Sequence, residues 1–220
     1  MIPKIIHYCW FGYNEKPEFL QSCINTFSKK NPDWEIVEWN NDNIEYNSYV
    51  RYCFDKKYWV KISDFIRLKV LHDYGGIYLD TDVEVIKPLD FLLENKAFFS
   101  YESKGRINHA ISGAEKGHWF LERCVDEFLR TFDGSQWNVA GGPIFITKML
   151  EKYFKIPEYD DNVVKYGDDE VTIYPSRYFF PYYYTEKFDE SCITKDTAAI
   201  HHWSLTWKVG TKNYEITHNK

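Results

Sequence analysis

The chain has 220 residues, enough for one domain with a sizeable core. Its 27 basic and 33 acidic residues leave a net charge of −6, which argues against a nucleic-acid partner, since that needs a basic stripe. Aromatic residues make up 19% of the chain, enough to line a ligand wall as well as a core.

Cys9, Cys23, Cys53, Cys124 and Cys192 form no C-x-x-C pair. That pattern fits free thiols in a reducing cytosol better than a disulfide frame or a zinc site. Met1-Ile2-Pro3-Lys4 opens straight into a strand pattern without a signal peptide. No apolar run approaches the roughly 18–20 residues of a membrane span.

Ile2 to Trp10 reads as a buried first strand, closed by the Phe11-Gly12 turn. Pro17 suits the first turn of a helix, and Phe19, Leu20, Cys23, Ile24 and Phe27 follow helical spacing until Asn31-Pro32. Trp34 to Trp39 is a second strand. Strand, helix and strand at this spacing predict a βαβ unit in a parallel sheet. Residues 41–58 read as irregular or weakly helical. Val60 to Tyr74 is the strongest helix, with Ile62, Phe65, Ile66, Val70 and Tyr74 as its core stripe and Gly75 as its cap. Asp64 and Arg67, three apart, share a face of it.

Next comes Gly75-Gly76-Ile77-Tyr78-Leu79-Asp80-Thr81-Asp82-Val83-Glu84, a glycine stop, a buried strand and then acids. In an extended chain Asp80 and Asp82 point the same way, roughly 6.6 Å apart at about 3.3 Å per residue. Carboxylates that close repel unless a cation or proton lies between them. An oxygen-only pair suits Mg²⁺ or Mn²⁺, which complete their shells with phosphate oxygens. A bland alternative is a solvated turn, since Asp bonds its own backbone in loops. The apolar residues on both sides favour the metal–diphosphate reading, because half-buried carboxylates need a partner.

Ala97 to Tyr101 reads as a strand and Trp119 to Phe132 as an amphipathic helix. Its inner face is Leu121, Cys124, Val125, Phe128, Leu129 and Phe132. Gly141-Gly142-Pro143 lets backbone approach a ligand and starts a helix from Ile144 to Tyr153. Residues 155–170 are acidic and loop-like, Val171 to Pro175 is a short strand, and the aromatic run 178–184 must pack on something. Thr197 to His202 is a last strand. His201 and His202 face opposite sides of it, so at most one joins a given site. A neutral imidazole added to two carboxylates shifts preference toward Mn²⁺.

These motifs, in this order, resemble the DXD-containing glycosyltransferases of family 32. That group shares a sugar-binding region with clostridial glucosylating toxins and yeast α-mannosyltransferases. The similar stretches are Ile2 to His7, Ser63 to Arg67, Tyr74 to Asp82, Gly141 to Pro143, and His201 to Trp203 with Trp207. The resemblance implies an α/β fold of GT-A type, with a mostly parallel central sheet flanked by helices and a small helical and aromatic acceptor lobe. It implies a single catalytic domain over 1–220, with 1–86 binding the nucleotide-sugar and 87–220 supplying the acceptor half and a C-terminal lid. It also implies Mn²⁺ or Mg²⁺, a nucleotide-sugar donor and retention of anomeric configuration. Carried over residue by residue, Asp82 would hold the metal and Asp80 would reach it or the ribose or sugar. Asp64 would contact sugar hydroxyls, and Arg67 the sugar or diphosphate region. His7 and Trp10 would flank the base, with Trp10 as the stacking platform. Asn138, Gly141 and Gly142 would lie below the sugar. Either His201, which is preferred, or His202 would complete the metal shell, and Trp207 would touch the diphosphate.

The expected activity is hexosyl transfer from a UDP-sugar, UDP-galactose foremost, to a polysaccharide or lipid-linked oligosaccharide, as in bacterial capsule synthesis. A GDP-mannose donor is the alternative. The expected location is cytoplasmic, with loose contact at the inner membrane face, although the net negative charge gives anionic lipid little to attract. Two other classes compete. A haloacid-dehalogenase-like phosphatase also has Asp-x-Asp after a strand, but Val83-Glu84 breaks its pattern and the motif lies far from the N-terminus. A catalytically dead glycan-binding module would be marked by a lost acid, and both acids are present.

Overall fold

Alternation along the strands divides their side chains between two apolar layers, because successive residues point to opposite faces of a sheet. Cys9, Tyr78, Phe99 and Ile173 go to one layer; Tyr8, Ile77, Phe98 and Tyr174 go to the other. The computed structural model describes residues 1–134 and 141–204. Strands β1 (Ile5–Cys9), β2 (Glu35–Trp39), β3 (Gly76–Leu79), β5 (Ala97–Ser103), β6 (Arg106–Ala114), β7 (Val164–Tyr166) and β8 (Val171–Tyr174) form one sheet in the order β2-β1-β3-β6-β5-β8-β7. β1 pairs in parallel with β2 and β3, and β5 with β8; β6 and β7 run against their neighbours. The sheet is thus mostly parallel in strand direction, and it runs through both halves of the chain. Strands β4 (Val83–Val85) and β9 (Ala199–His201) make a separate antiparallel pair.

Helices α2 (Ser48–Asp55), α3 (Trp59–Tyr74), α4 (Trp119–Thr131) and α5 (Gly142–Tyr153) contribute to the first layer. Helix α1 (Glu18–Lys30) sends Phe27 into the second, beside β4 and the buried Phe179 and Phe180. The aromatic run 178–184 therefore serves in part as core. All five cysteines are free. Among the described residues, no helix is long and apolar enough to cross a membrane.

The first βαβ unit forms as its spacing predicts. Four local expectations change. Residues 48–55 are a regular helix, capped where Asn47 accepts a hydrogen bond from Val50 N at 2.9 Å. Tyr74, expected in the core stripe, is 49% exposed, while Asp64 and Arg67 of the same helix are each only 5% exposed. Residues 164–166 pair as a short strand within the acidic loop. The largest difference is β6, which lies between β3 and β5 and has no counterpart in the sequence reading. Its Asn108, His109, Ser112 and Gly113 hide a buried strand behind polar and small residues.

Candidate active site

The double glycine sets up the acidic motif by letting two backbones meet. Gly75 caps α3 with φ of 70°, and Gly76 follows at 110°, both in the left-handed region. A Cβ on Gly76 would lie 2.7 Å from Ile5 O and 2.9 Å from His7 Nε2. Trp39 Nε1 donates to His7 Nδ1 at 3.1 Å, so His7 Nε2 carries the proton and donates to Gly75 O at 2.8 Å. His7 is 1% exposed and locks the glycine stop to β1. It does not line the cavity described below, and its expected place beside the base is corrected to this structural one.

β3 ends at Leu79, and Asp80-Thr81-Asp82 is a turn, closed by Val83 N donating to Asp80 O at 3.1 Å. The expected extended Asp80–Asp82 geometry is thus replaced by a turn. The two carboxylates still converge, and β9 brings in His201 opposite Val83. One ligand atom each from Asp80, Asp82 and His201 fall within 4.8 Å of one another. His201 Nε2 lies 3.8 Å from Asp80 and 3.4 Å from Asp82. Burial would lower the His201 pKa, but the charges of Asp82 and Asp80 outweigh it and the net shift is upward. His201 Nδ1 is buried without a hydrogen-bond partner. Asp82 Oδ2 accepts from Ser204 N at 2.8 Å and Ser204 Oγ at 2.9 Å, which pins the carboxylate. Two carboxylates and one imidazole fit a divalent ion such as Mn²⁺.

His202 turns away, as the alternation of a strand requires. Its Nε2 sits 2.9 Å from Glu84 Oε2, and its ring packs on Phe19 and Phe188. The expectation that either histidine completes the metal shell narrows to His201 on this geometry.

Asp80 is held by more than the turn. Arg67 Nη2 lies 3.1 Å from Asp80 Oδ1 and 3.5 Å from Asp64 Oδ1, and Tyr78 Oη donates to Asp80 at 3.0 Å. The Arg67 guanidinium also lies 4.7 Å over the Tyr78 ring. Burial opposes the Asp80 charge, but Arg67 and His201 favour it and draw its pKa down to about 2. Asp64 goes the other way. Burial lifts it to about 6 despite Arg67, and the Gly142 backbone N–H bonds to it. Gly141 packs so closely that a Cβ there would lie 2.3 Å from Asp64 Oδ2.

These groups share one cavity of about 820 Å³. Trp10, Asp64, Arg67, Asp80, Asp82 and Gly142 line it, joined by His201. Trp10 also borders a smaller cavity of about 440 Å³ with Asn40 and Asn41. Asn138 and Trp207 lie outside the described residues. Sequence reasoning missed Glu102, His109 and Ser204, which all line the larger cavity, and gave no role to Trp203 of the closing motif, which lines it too. Glu102 and His109 stand on or beside the unrecognised β6, and Trp203 and Ser204 follow the histidine pair.

The chain is similar to known proteins in sequence and in fold. Residues 17–99 match the family model described as the glycosyltransferase sugar-binding region containing the DXD motif. Residues 113–218 match the alpha 1,4-glycosyltransferase conserved region. In both halves, then, the chain is similar to DXD-motif glycosyltransferases. It is 28% identical to inositol phosphoceramide mannosyltransferase 3 of Schizosaccharomyces pombe, over 98% of this chain and 64% of the relative. It is 28% identical to lactosylceramide 4-alpha-galactosyltransferase of Rattus norvegicus, over 71% of this chain and 42% of that one. The chain therefore spans less than two thirds of the length of these relatives. The fold is shared with the PaToxG glycosyltransferase, at a TM-score of 0.57 and 20% identity over 69% of each chain. It is shared also with the glycosyltransferase GlyE of Streptococcus pneumoniae, at a TM-score of 0.55 and 13% identity over 93% of this chain and 55% of that one. The architecture is of GT-A type.

Proposed function

We propose that this chain is a metal-dependent retaining glycosyltransferase that moves a hexose from a nucleotide-sugar to a saccharide hydroxyl. The observation that carries the reading is the convergence of Asp80, Asp82 and His201 within 4.8 Å beside a cavity of about 820 Å³. The three side chains would hold Mn²⁺ or Mg²⁺ against the donor diphosphate. When bound, such an ion stabilises the negative charge that develops on the leaving group.

The chain's own residues do the rest. Arg67, fixed by Asp64 and Asp80, orients the sugar or diphosphate side of the donor. Asp64 and the Gly142 backbone hold sugar hydroxyls. Trp10 offers its ring to the base, with its Nε1 tied to Asn14 O at 2.9 Å. The acceptor oxygen bonds to the anomeric carbon as the bond from that carbon to the diphosphate oxygen breaks. The bonding pair stays with the diphosphate, and the hydroxyl proton is released. The walls around His201 and Trp203 limit competing attack by water.

UDP-galactose is our preferred donor, and the name of the rat relative supports it. GDP-mannose is the second reading, supported by the name of the fission-yeast relative. Both relatives are named for ceramide glycolipids, which favours a lipid-linked acceptor. A thermal-shift screen of UDP- and GDP-sugars with and without Mn²⁺ tests the reading, because selective binding stabilises the fold by mass action. One nucleotide-sugar should raise Tm only when Mn²⁺ is present, and Asp82→Ala should remove that rise and lower turnover at least about a hundredfold. Wild-type turnover in Asp82→Ala would refute the assignment.

A further inference from the structure

The same cavity carries a second polar element that no motif marks. Glu102 on β5 lines it and is 6% exposed. Asn108 Nδ2 donates to Glu102 Oε2 at 2.5 Å, while Asn108 Oδ1 accepts from Ala110 N at 2.7 Å. The amide cannot flip without losing both of these bonds, so it fixes the carboxylate. Glu102 Oε1 takes no hydrogen bond from the described residues. Burial pushes the Glu102 carboxyl upward from its ordinary range, against the pull of Asn108, His201 and Arg106. The Glu102 charge is felt in turn by the Tyr183 phenol. Glu102 thus shares the cavity with the metal corner and with an aromatic wall.

That wall is made by Tyr183, Tyr184 and Trp203, all lining the cavity. The Tyr183 and Tyr184 rings lie 4.4 Å apart, and Trp203 lies 5.6 Å from Tyr183 and 6.0 Å from Tyr184. Trp203 is held in place by its Nε1 donating to Tyr182 O at 3.0 Å, and it packs on the His201 ring at 4.5 Å. Its φ of 53° is a strained value for a residue with a side chain. Tyr184 is 52% exposed, a large ring left open at the cavity mouth. Rings beside a buried carboxylate suit a sugar, which offers an apolar face to stack and hydroxyls to donate.

We propose that Glu102, Tyr183, Tyr184 and Trp203 form the acceptor subsite. The terminal pyranose of an uncharged glycoside packs on the rings, and one of its hydroxyls donates to Glu102 Oε1. The subsite rests on the transferase reading and deepens it, because it names the residues of the cavity that receive the acceptor. A purely structural Glu102 would need only its bond from Asn108, and glutamine keeps an oxygen for that bond.

The test titrates octyl glycosides of glucose, galactose, mannose and lactose into the full chain loaded with UDP and Mn²⁺, followed by calorimetry. At least one glycoside should bind, and Glu102→Gln should weaken it about tenfold, as expected for a lost hydrogen bond to a charged group. Tyr184→Ala should weaken it about fivefold through lost ring contact. The affinity for UDP with Mn²⁺ should stay within about twofold in both variants, a split that a merely structural role would not produce. Unchanged glycoside binding in Glu102→Gln, or equal losses of glycoside and UDP, would overturn the subsite. So would a chain that binds UDP with Mn²⁺ but none of the four glycosides. A chain that binds no UDP would overturn the transferase reading, and the subsite with it.

Discussion

At one end of the cavity, Arg67 lies between Asp64 and Asp80, and every charged group there has an opposite charge within reach. Elsewhere in the cavity, Glu102 has one amide partner and shares the lining with Tyr183, Tyr184 and Trp203. The first end is set before any ligand arrives, because Asp64 and Arg67 are buried together and Arg67 and Tyr78 hold the half-buried Asp80. The second is a shaped surface with one polar anchor. A site that must hold a charged diphosphate needs the first construction, and one that holds a neutral sugar needs the second.

Removing the central cation should break the comparison most strongly. Arg67→Met leaves Asp64 and Asp80 without their main partner, and should cost about 3–5 kcal/mol in urea unfolding. A loss below about 1 kcal/mol would mean the pair behaves like a solvated surface bridge. Gly141→Ala sharpens the contrast with less force. Its Cβ would lie 2.3 Å from Asp64 Oδ2, so backbone or carboxylate must shift. A loss of about 1–3 kcal/mol is expected, with weaker donor binding and an unchanged acceptor end.

The smallest effect is on pH dependence. Burial first of all raises Asp64 to about 6 in the folded chain, above the ordinary range near 4. Between those values the folded chain keeps a proton that the unfolded chain has lost. Stability should therefore fall as pH rises from about 4 to about 6, and then level off. Asp80 adds the opposite trend at lower pH. Its folded value of about 2 lies below the ordinary range, so its contribution is present above about pH 4 and fades toward pH 2. Asp64→Asn should flatten the upper slope alone, which urea melts at several pH values would show.

The two ends also differed in how far the sequence disclosed them. Asp64, Arg67, Asp80 and Asp82 stand close along the chain, and a helical period and a tight turn bring local neighbours together. The acceptor wall joins residues from 102 to 203, and only the tertiary fold brings them to one place. β6 was missed because a strand buried in the middle of a sheet need not be apolar. Its Asn108, His109 and Ser112 are buried polar residues set at the cavity or bonded within the strand. His7 differs in the opposite sense. The family resemblance implied a base contact for it, yet Trp39 and Gly75 occupy both its nitrogens. The glycine stop, the helix before it and the first βαβ unit were legible because each depends on local geometry alone.

The central claim is that Asp80, Asp82 and His201 bind a divalent cation against a nucleoside diphosphate. Anomalous diffraction at the manganese edge, from crystals grown with Mn²⁺ and UDP, tests it directly. The account predicts one strong peak bound by Asp80, Asp82 and His201, with the UDP phosphates completing its shell. Manganese bound elsewhere, or UDP seated with no peak at that corner, would contradict it.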